Sequence, residues 1–126
     1  MTARDLKALL AEKPEMVLMD LLSPEHFTGR RIPGARNACV FQVSFLDDLA
    51  VAVPDKHVPI VVYGAGIRSR DAVMALEKLD RAGYTHVSFL EGGLEAWCTA
   101  GYELEGETTN QPDDPQTKVR LPDGQY

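Results

Sequence analysis

The chain reads as an α/β protein: a mainly parallel sheet with helices on both faces. Three observations lead there. The apolar runs Met16-Val17-Leu18-Met19, Ile60-Val61-Val62-Tyr63 and Val87-Ser88-Phe89-Leu90 are short and nearly unbroken, as strands buried on both sides require. Segments of helical period separate them, which makes βαβ units rather than hairpins the natural connection. The middle run passes through Gly64-Ala65-Gly66 directly into the most regular helical pattern of the chain.

In chain order, Thr2 and Asp5 read as an N-cap and a first-turn acid. Leu6, Leu9 and Leu10 behind them form a helical stripe that Pro14 ends. The first strand follows and closes at Asp20. Ser23-Pro24 is a cap with proline at the first helical position, opening a short turn of helix through Phe27. Ile32-Pro33-Gly34-Ala35 is a turn, Arg36 to Phe41 a second strand, and Val43 to Val51 a short helix. After the strand Ile60 to Tyr63, the helix Ser69 to Ala82 places Ala72, Val73, Leu76 and Leu79 on one face. Asp71 lies in its first turn and Arg81 in its last, each complementing the helix dipole. Gly83 reads as a left-handed C-cap, with Tyr84 as the apolar contact behind it. Leu94, Trp97 and Cys98 mark a final helix ended by Gly101. The expected sheet core includes Val17, Val61, Val62, Val87 and Phe89.

With 126 residues the chain makes one domain, over residues 2–103. The remainder, 104–126, changes character. From Glu105 onward it holds three prolines and five acids against Lys118 and Arg120, and so carries three of the six net negative charges. It reads as an extended acidic arm, with Val119, Leu121 and Tyr126 as the residues able to anchor it to its own domain or a partner.

Composition narrows the function. A net charge of −6 argues against nucleic acid or an anionic membrane surface as partner, and no apolar run is long enough to span a bilayer. Two cysteines make no disulfide framework, which sets a reduced, cytoplasmic location as the expectation. His26, His57 and His86 are scattered without ligand spacing, so neither a metal nor another cofactor is expected.

The chemistry concentrates at Gly64-Ala65-Gly66-Ile67-Arg68-Ser69. A tight loop feeding a helix N-terminus turns backbone N–H groups inward, and the positive end of the dipole stands behind them. Arg68 adds a planar fork suited to sulfate, thiosulfate, phosphate or a carboxylate. Its alternative is a structural pairing with a carbonyl, Asp20 or Asp71. The loop has no thiol, and its nearby hydroxyls, on Tyr63 and Ser69, have no activating base in sequence. It is built to hold an anion and lacks the group to attack one.

Four segments in order resemble the rhodanese-like family of sulfurtransferases. They are Leu18-Met19-Asp20 with Pro24-Glu25-His26-Phe27; Arg31-Ile32-Pro33-Gly34-Ala35-Arg36-Asn37; Ile60 to Ser69; and Leu90-Glu91-Gly92-Gly93-Leu94-Glu95-Ala96-Trp97 with Ala100-Gly101-Tyr102. The resemblance implies a small α/β domain with a five-stranded central sheet. It also implies a loop headed by a persulfide-bearing Cys in the pattern Cys-x-x-Gly-x-Arg-Ser. Counting back from Gly66, Arg68 and Ser69 puts Tyr63 at that position. Counting forward from the strand puts Gly64 there, with the loop one residue short. Neither carries sulfur. The family's Asp-x-Arg is Asp20-Leu21-Leu22 here, and its His before Ile-Pro-Gly-Ala is Arg31. Asp20 is left to pair with Arg68, Arg36 or Arg31.

The expected function is a catalytically silent rhodanese-like module that binds or regulates. It retains a small-anion site in the loop, with Asp20, Arg31 and Arg36 in support and a protein partner of unspecified kind. The competing reading is a sulfurtransferase working through a displaced thiol, Cys39 or Cys98. Both cysteines read as buried, which raises a thiol's pKa and makes it inert.

Overall fold

The computed structural model describes residues 1–12 and 15–107. The expected helix stop at Pro14 and the arm beyond residue 107 lie outside them. The elements in order are α1 (Ala3–Glu12), β1 (Val17–Asp20), α2 (Pro24–Gly29), β2 (Arg36–Asn37), α3 (Phe45–Ala52), β3 (Ile60–Tyr63), α4 (Asp71–Arg81), β4 (Val87–Phe89) and α5 (Gly93–Thr99).

The strands form one parallel sheet in the order β2-β1-β3-β4. Leu18 pairs with Val61 and Asp20 with Tyr63 along the central pair. The chain winds outward from β1 to β2 and in the opposite direction from β3 to β4. The switch point therefore lies between β1 and β3, where such sheets open a crevice beyond their carboxyl ends. Asp20, Tyr63 and the loop from Gly64 all sit at that end.

Alternation along the strands divides the core in two. Met19, Ile60 and Val62 face α3 and α4, packing with Phe45, Leu49, Ala75, Leu79 and Tyr84. Leu18, Val61 and Tyr63 face α1 and α5, packing with Leu6, Ile32, Leu90 and Trp97. Helices thus cover both faces, as the continuous apolar runs require.

The caps explain where the helices begin and end. Thr2 Oγ1 accepts from the Asp5 N–H and Asp5 accepts from the Thr2 N–H, both at 3.1 Å. Hydrogen bonding from the Thr2 N–H, and then from the Thr2 side chain, holds the Asp5 carboxyl below its ordinary pKa. Ser23 accepts from the His26 N–H and Pro24 opens α2. Beyond α4, Gly83 adopts φ +94°. The Tyr84 N–H then reaches the Leu79 carbonyl and the Gly83 N–H reaches that of Asp80, each at 3.1 Å, closing a Schellman motif.

Four expectations need correction. Among the described residues the sheet has four strands, not five. A further antiparallel pairing is limited to one bridge between Arg31 and Glu105, because Pro33 and the positive φ of Gly34 and Gly106 turn both chains away. The second strand is Arg36–Asn37 rather than Arg36 to Phe41. Ala38 and Val40 still donate to the Asp20 and Leu21 carbonyls, but Gln42 then turns back onto Cys39. The helix expected from Ser69 begins at Asp71, because the Ser69 N–H is turned to the Gly66 carbonyl within the loop. Finally, Phe89 is 40% exposed, since β4 is an edge strand, and Val17 and Val87 are half-buried, whereas Val61 and Val62 lie in the core.

Candidate active-site loop

At the carboxyl end of β1, Asp20 is fully buried. Its Oδ2 accepts from the Tyr63 hydroxyl at 2.5 Å and its Oδ1 from the Leu22 N–H at 2.8 Å. Tyr63 Oη in turn accepts from the Ile32 N–H at 3.1 Å. Asn37 ties the segment after β1 by donating to the Asp20 and Leu22 carbonyls. Burial pushes the Asp20 carboxyl up to about 6, against the lowering effect of the Tyr63 and Leu22 bonds. Burial and the neighbouring Asp20 charge push the Tyr63 hydroxyl far above its ordinary value. A phenol so placed stays protonated and donates.

This arrangement settles two open points. Tyr63 is the last residue of β3, with its ring in the α1/α5 core, so it does not head the loop. Gly64 does. Asp20 pairs with none of Arg68, Arg36 or Arg31: Tyr63 supplies the donor. Arg31 donates to the Phe27 carbonyl, stacks on the Phe27 ring at 4.8 Å and pairs with Glu105 at 3.6 Å. Arg36 lies exposed on the sheet-edge strand β2. Among the described residues neither arginine bonds to the loop.

The loop is gripped from two sides. On one, α5 abuts it. Its first free N–H groups, of Leu94 and Glu95, donate to the Gly64 and Ala65 carbonyls at 2.8 and 3.0 Å. This contact needs glycine at 93, where a Cβ would strike the Gly64 carbonyl. On the other side, Asp71 opens α4 and folds its side chain back. Its Oδ2 accepts from the Ala65 N–H at 3.0 Å and its Oδ1 from the Ala72 N–H at 2.9 Å. Asp71 is 2% exposed. A Cβ placed on Gly64 would fall inside this carboxylate. The space for a side chain at the head of the loop is thus filled by an acid from the following helix.

The rest of the loop faces outward. Ile67 and Arg68 are exposed, and Arg68 has no ion pair among the described residues. The structural pairing of Arg68 with Asp20 or Asp71 does not form. Glu95 Oε1 stands 2.8 Å from where a Cβ on Gly66 would be, so a second carboxylate flanks the loop.

Beside it, an open cleft of about 700 Å³ is lined by Leu22, His26, Arg30, Ala65, Glu95 and Cys98, among others. Cys98 is only half-buried here, contrary to expectation. It follows Trp97 on α5 and so points away from the core face that Trp97 fills. Cys39 is buried as expected, and both thiols are free. No group of side chains among the described residues has the makings of a metal site. No helix among them is long and apolar enough to cross a membrane.

Sequence reasoning missed the part played by Asp71, reading it as a first-turn acid and as an alternative partner for Arg68. The available signal was the conjunction of a glycine at the loop head with an acid seven residues on, at the helix start. The cleft-facing position of Cys98 was also missed; its place next to a core tryptophan was the clue.

The site is thus a glycine-containing loop at the switch point of a parallel sheet, feeding a helix N-terminus. The model of the rhodanese-like domain matches residues 2–100, and the chain belongs to that family. The solution structure of the rhodanese-like domain of the Alr3790 protein from Anabaena is similar at 32% identity. It covers 96% of this chain and 92% of that one, with a TM-score of 0.76. A crystal structure of the Alr3790 protein gives 32% identity, 84% and 91% coverage and a TM-score of 0.74. A thiosulfate sulfurtransferase from Pseudomonas aeruginosa is 30% identical over 85% of this chain but only 20% of its own length, with a TM-score of 0.71. No match was found among curated proteins.

Proposed function

We propose that this chain is a rhodanese-like module that does not transfer sulfur through its loop and serves in binding or regulation. The observation that carries the reading is the head of the loop. Gly64 has no side chain, and the Asp71 carboxylate fills the space one would occupy. Sulfur transfer of the family type needs a thiolate held by loop N–H groups. Here the Ala65 N–H is bonded to a carboxylate instead. The free thiols Cys39 and Cys98 fit a reduced, cytoplasmic setting. A small anion such as sulfate, thiosulfate or phosphate retains one foothold, the outward backbone from Gly66 to Arg68 with the exposed Arg68 side chain. Sharing the loop with Asp71 and Glu95, it binds no better than millimolar, about −4 kcal/mol.

One observation favours a second reading. Cys98 opens into the cleft that also reaches Ala65 of the loop, which is the placement a displaced sulfur carrier would need. Thiosulfate:cyanide transfer by the purified chain, and by a Cys39→Ala/Cys98→Ala variant, separates the two. The silent module gives the same background rate in both. Turnover in the parent that is lost in the variant assigns the chain to the sulfurtransferases.

A further inference from the structure

A glycine at the head of the loop would ordinarily be read as a nucleophile simply deleted, with the pocket waiting. The geometry points to a second and separate block: we infer that Asp71 closes the head of the loop to any nucleophile, an acid seated there in place of a side chain at position 64. The inference deepens the silent-module reading and rests on it for its meaning, though not for its test.

Three facts carry it. The Cβ direction of Gly64 ends within the Asp71 carboxylate, so any residue other than glycine must unseat that group. The carboxylate cannot move aside freely. Oδ2 is held by the Ala65 N–H and Oδ1 by the Ala72 N–H, and the group is buried. Its backbone is fixed as well: the Asp71 N–H points to Ser69 Oγ at 3.4 Å, and α4 runs on from this residue. The loop is also closed from behind, where Leu94 and Glu95 of α5 hold the carbonyls of Gly64 and Ala65. A thiol introduced at position 64 therefore meets two penalties at once. Its Sγ competes for the volume of the carboxylate, and its thiolate would form beside a like charge that already holds the Ala65 N–H. Like charges at contact disfavour ionisation, while loop N–H groups left free favour it. Thiol and acid exclude one another, and a single substitution at 64 cannot open the site.

The experiment introduces Gly64→Cys alone, with Asp71→Asn, and with Asp71→Gly, all in a Cys39→Ala/Cys98→Ala background so that one thiol remains. Alkylation by iodoacetamide is followed against pH, with an amide spectrum of each variant to report its fold. The expected result is a slow thiol in the single variant and a rise of about tenfold at neutral pH with Asp71→Gly. The midpoint falls by about one pH unit, since tenfold corresponds to one unit. Asp71→Asn should relieve the charge and not the crowding, and so fall between. Equal rates and midpoints in all three overturn the inference. Should Gly64→Cys alone fail to fold while Gly64→Cys/Asp71→Gly folds, the exclusion is shown directly. Should both fail, the chain with Gly64 intact decides. Its Ala65 amide proton must exchange slowly with solvent and lose that protection in Asp71→Ala. Equal exchange of the Ala65 amide in the two proteins overturns the inference. Sulfur transfer through Cys98 in the parent chain would overturn the silent-module reading alone and leave all these outcomes unchanged.

Discussion

Replacing Tyr63 with Phe removes one oxygen from the carboxyl end of the sheet, and the effect should depend on pH. The hydroxyl has two bonds. It accepts from the buried Ile32 N–H at 3.1 Å and donates to the buried Asp20 carboxylate at 2.5 Å. Leaving a buried N–H without a partner costs about 1–3 kcal/mol, and a hydrogen bond to a charged group contributes about 1.5–3 kcal/mol. Because one oxygen serves both, the two do not simply add, and a loss of about 3 kcal/mol at neutral pH is the reasonable figure. Asp20 supplies the pH dependence. Its carboxyl is pushed up to about 6 in the folded chain from an ordinary value of 3.8. The folded state therefore holds the Asp20 proton more tightly than the unfolded state. Its stabilising effect is complete below about pH 4, declines as pH rises to about 6, and is gone above that. The span of about two pH units corresponds to about 3 kcal/mol. Tyr63→Phe withdraws a bond that favours the ionised form, so it raises the Asp20 pKa further. Its penalty must then be larger at pH 7.5 than at pH 5, where Asp20 is mostly protonated in both proteins. Urea unfolding at the two pH values measures this, with an expected drop in midpoint of about 1–2 M at pH 7.5 and roughly half that at pH 5. A penalty that is equal at the two pH values, or larger at pH 5, would refute the assignment of Tyr63 as the structural donor to an ionised Asp20.

Two further outcomes follow from the packing. Trp97→Ala empties the α1/α5 core of a side chain 2% exposed and breaks the bond from its indole N–H to the Glu103 carbonyl, so thermal unfolding should show a loss of about 3–5 kcal/mol. Arg68→Ala should change stability by less than about 0.5 kcal/mol, because the side chain is exposed and without an ion pair among the described residues. It should nevertheless abolish any sulfate-induced amide shifts over residues 65–69 in a labelled sample, and persistence of those shifts would remove Arg68 from the proposed anion site.

The fold was legible wherever one local signal decided the outcome. Gly83 with Tyr84 and Ser23 with Pro24 marked helix boundaries because capping is a short-range bond pattern. The runs Val17 to Asp20 and Ile60 to Tyr63 marked the central strands because two-sided burial leaves no polar alternation. Phe89 misled for the opposite reason: apolar character alone does not distinguish an edge strand from a central one. The site was legible as a loop and illegible as a lock. Glycines before a helix predict inward N–H groups, but which acceptor takes them is a tertiary fact. Asp71 takes the Ala65 N–H through the start of α4 rather than through loop sequence, and the packing of α5 sets Glu95 beside the loop. The partner of Asp20 was missed similarly. Arginines were sought because the charge asked for one, while Tyr63, directly opposite in the parallel register, supplied the donor.

The central claim of the proposed function is that this chain carries no transferable sulfur, the head of its loop being occupied by the Asp71 carboxylate. Intact mass of the purified chain after incubation with thiosulfate tests it most directly. The account predicts no gain of mass in either the parent or Cys98→Ala, each keeping the mass of its own sequence. Addition of a single sulfur atom to the parent, absent from Cys98→Ala, would contradict it and make Cys98 the carrier.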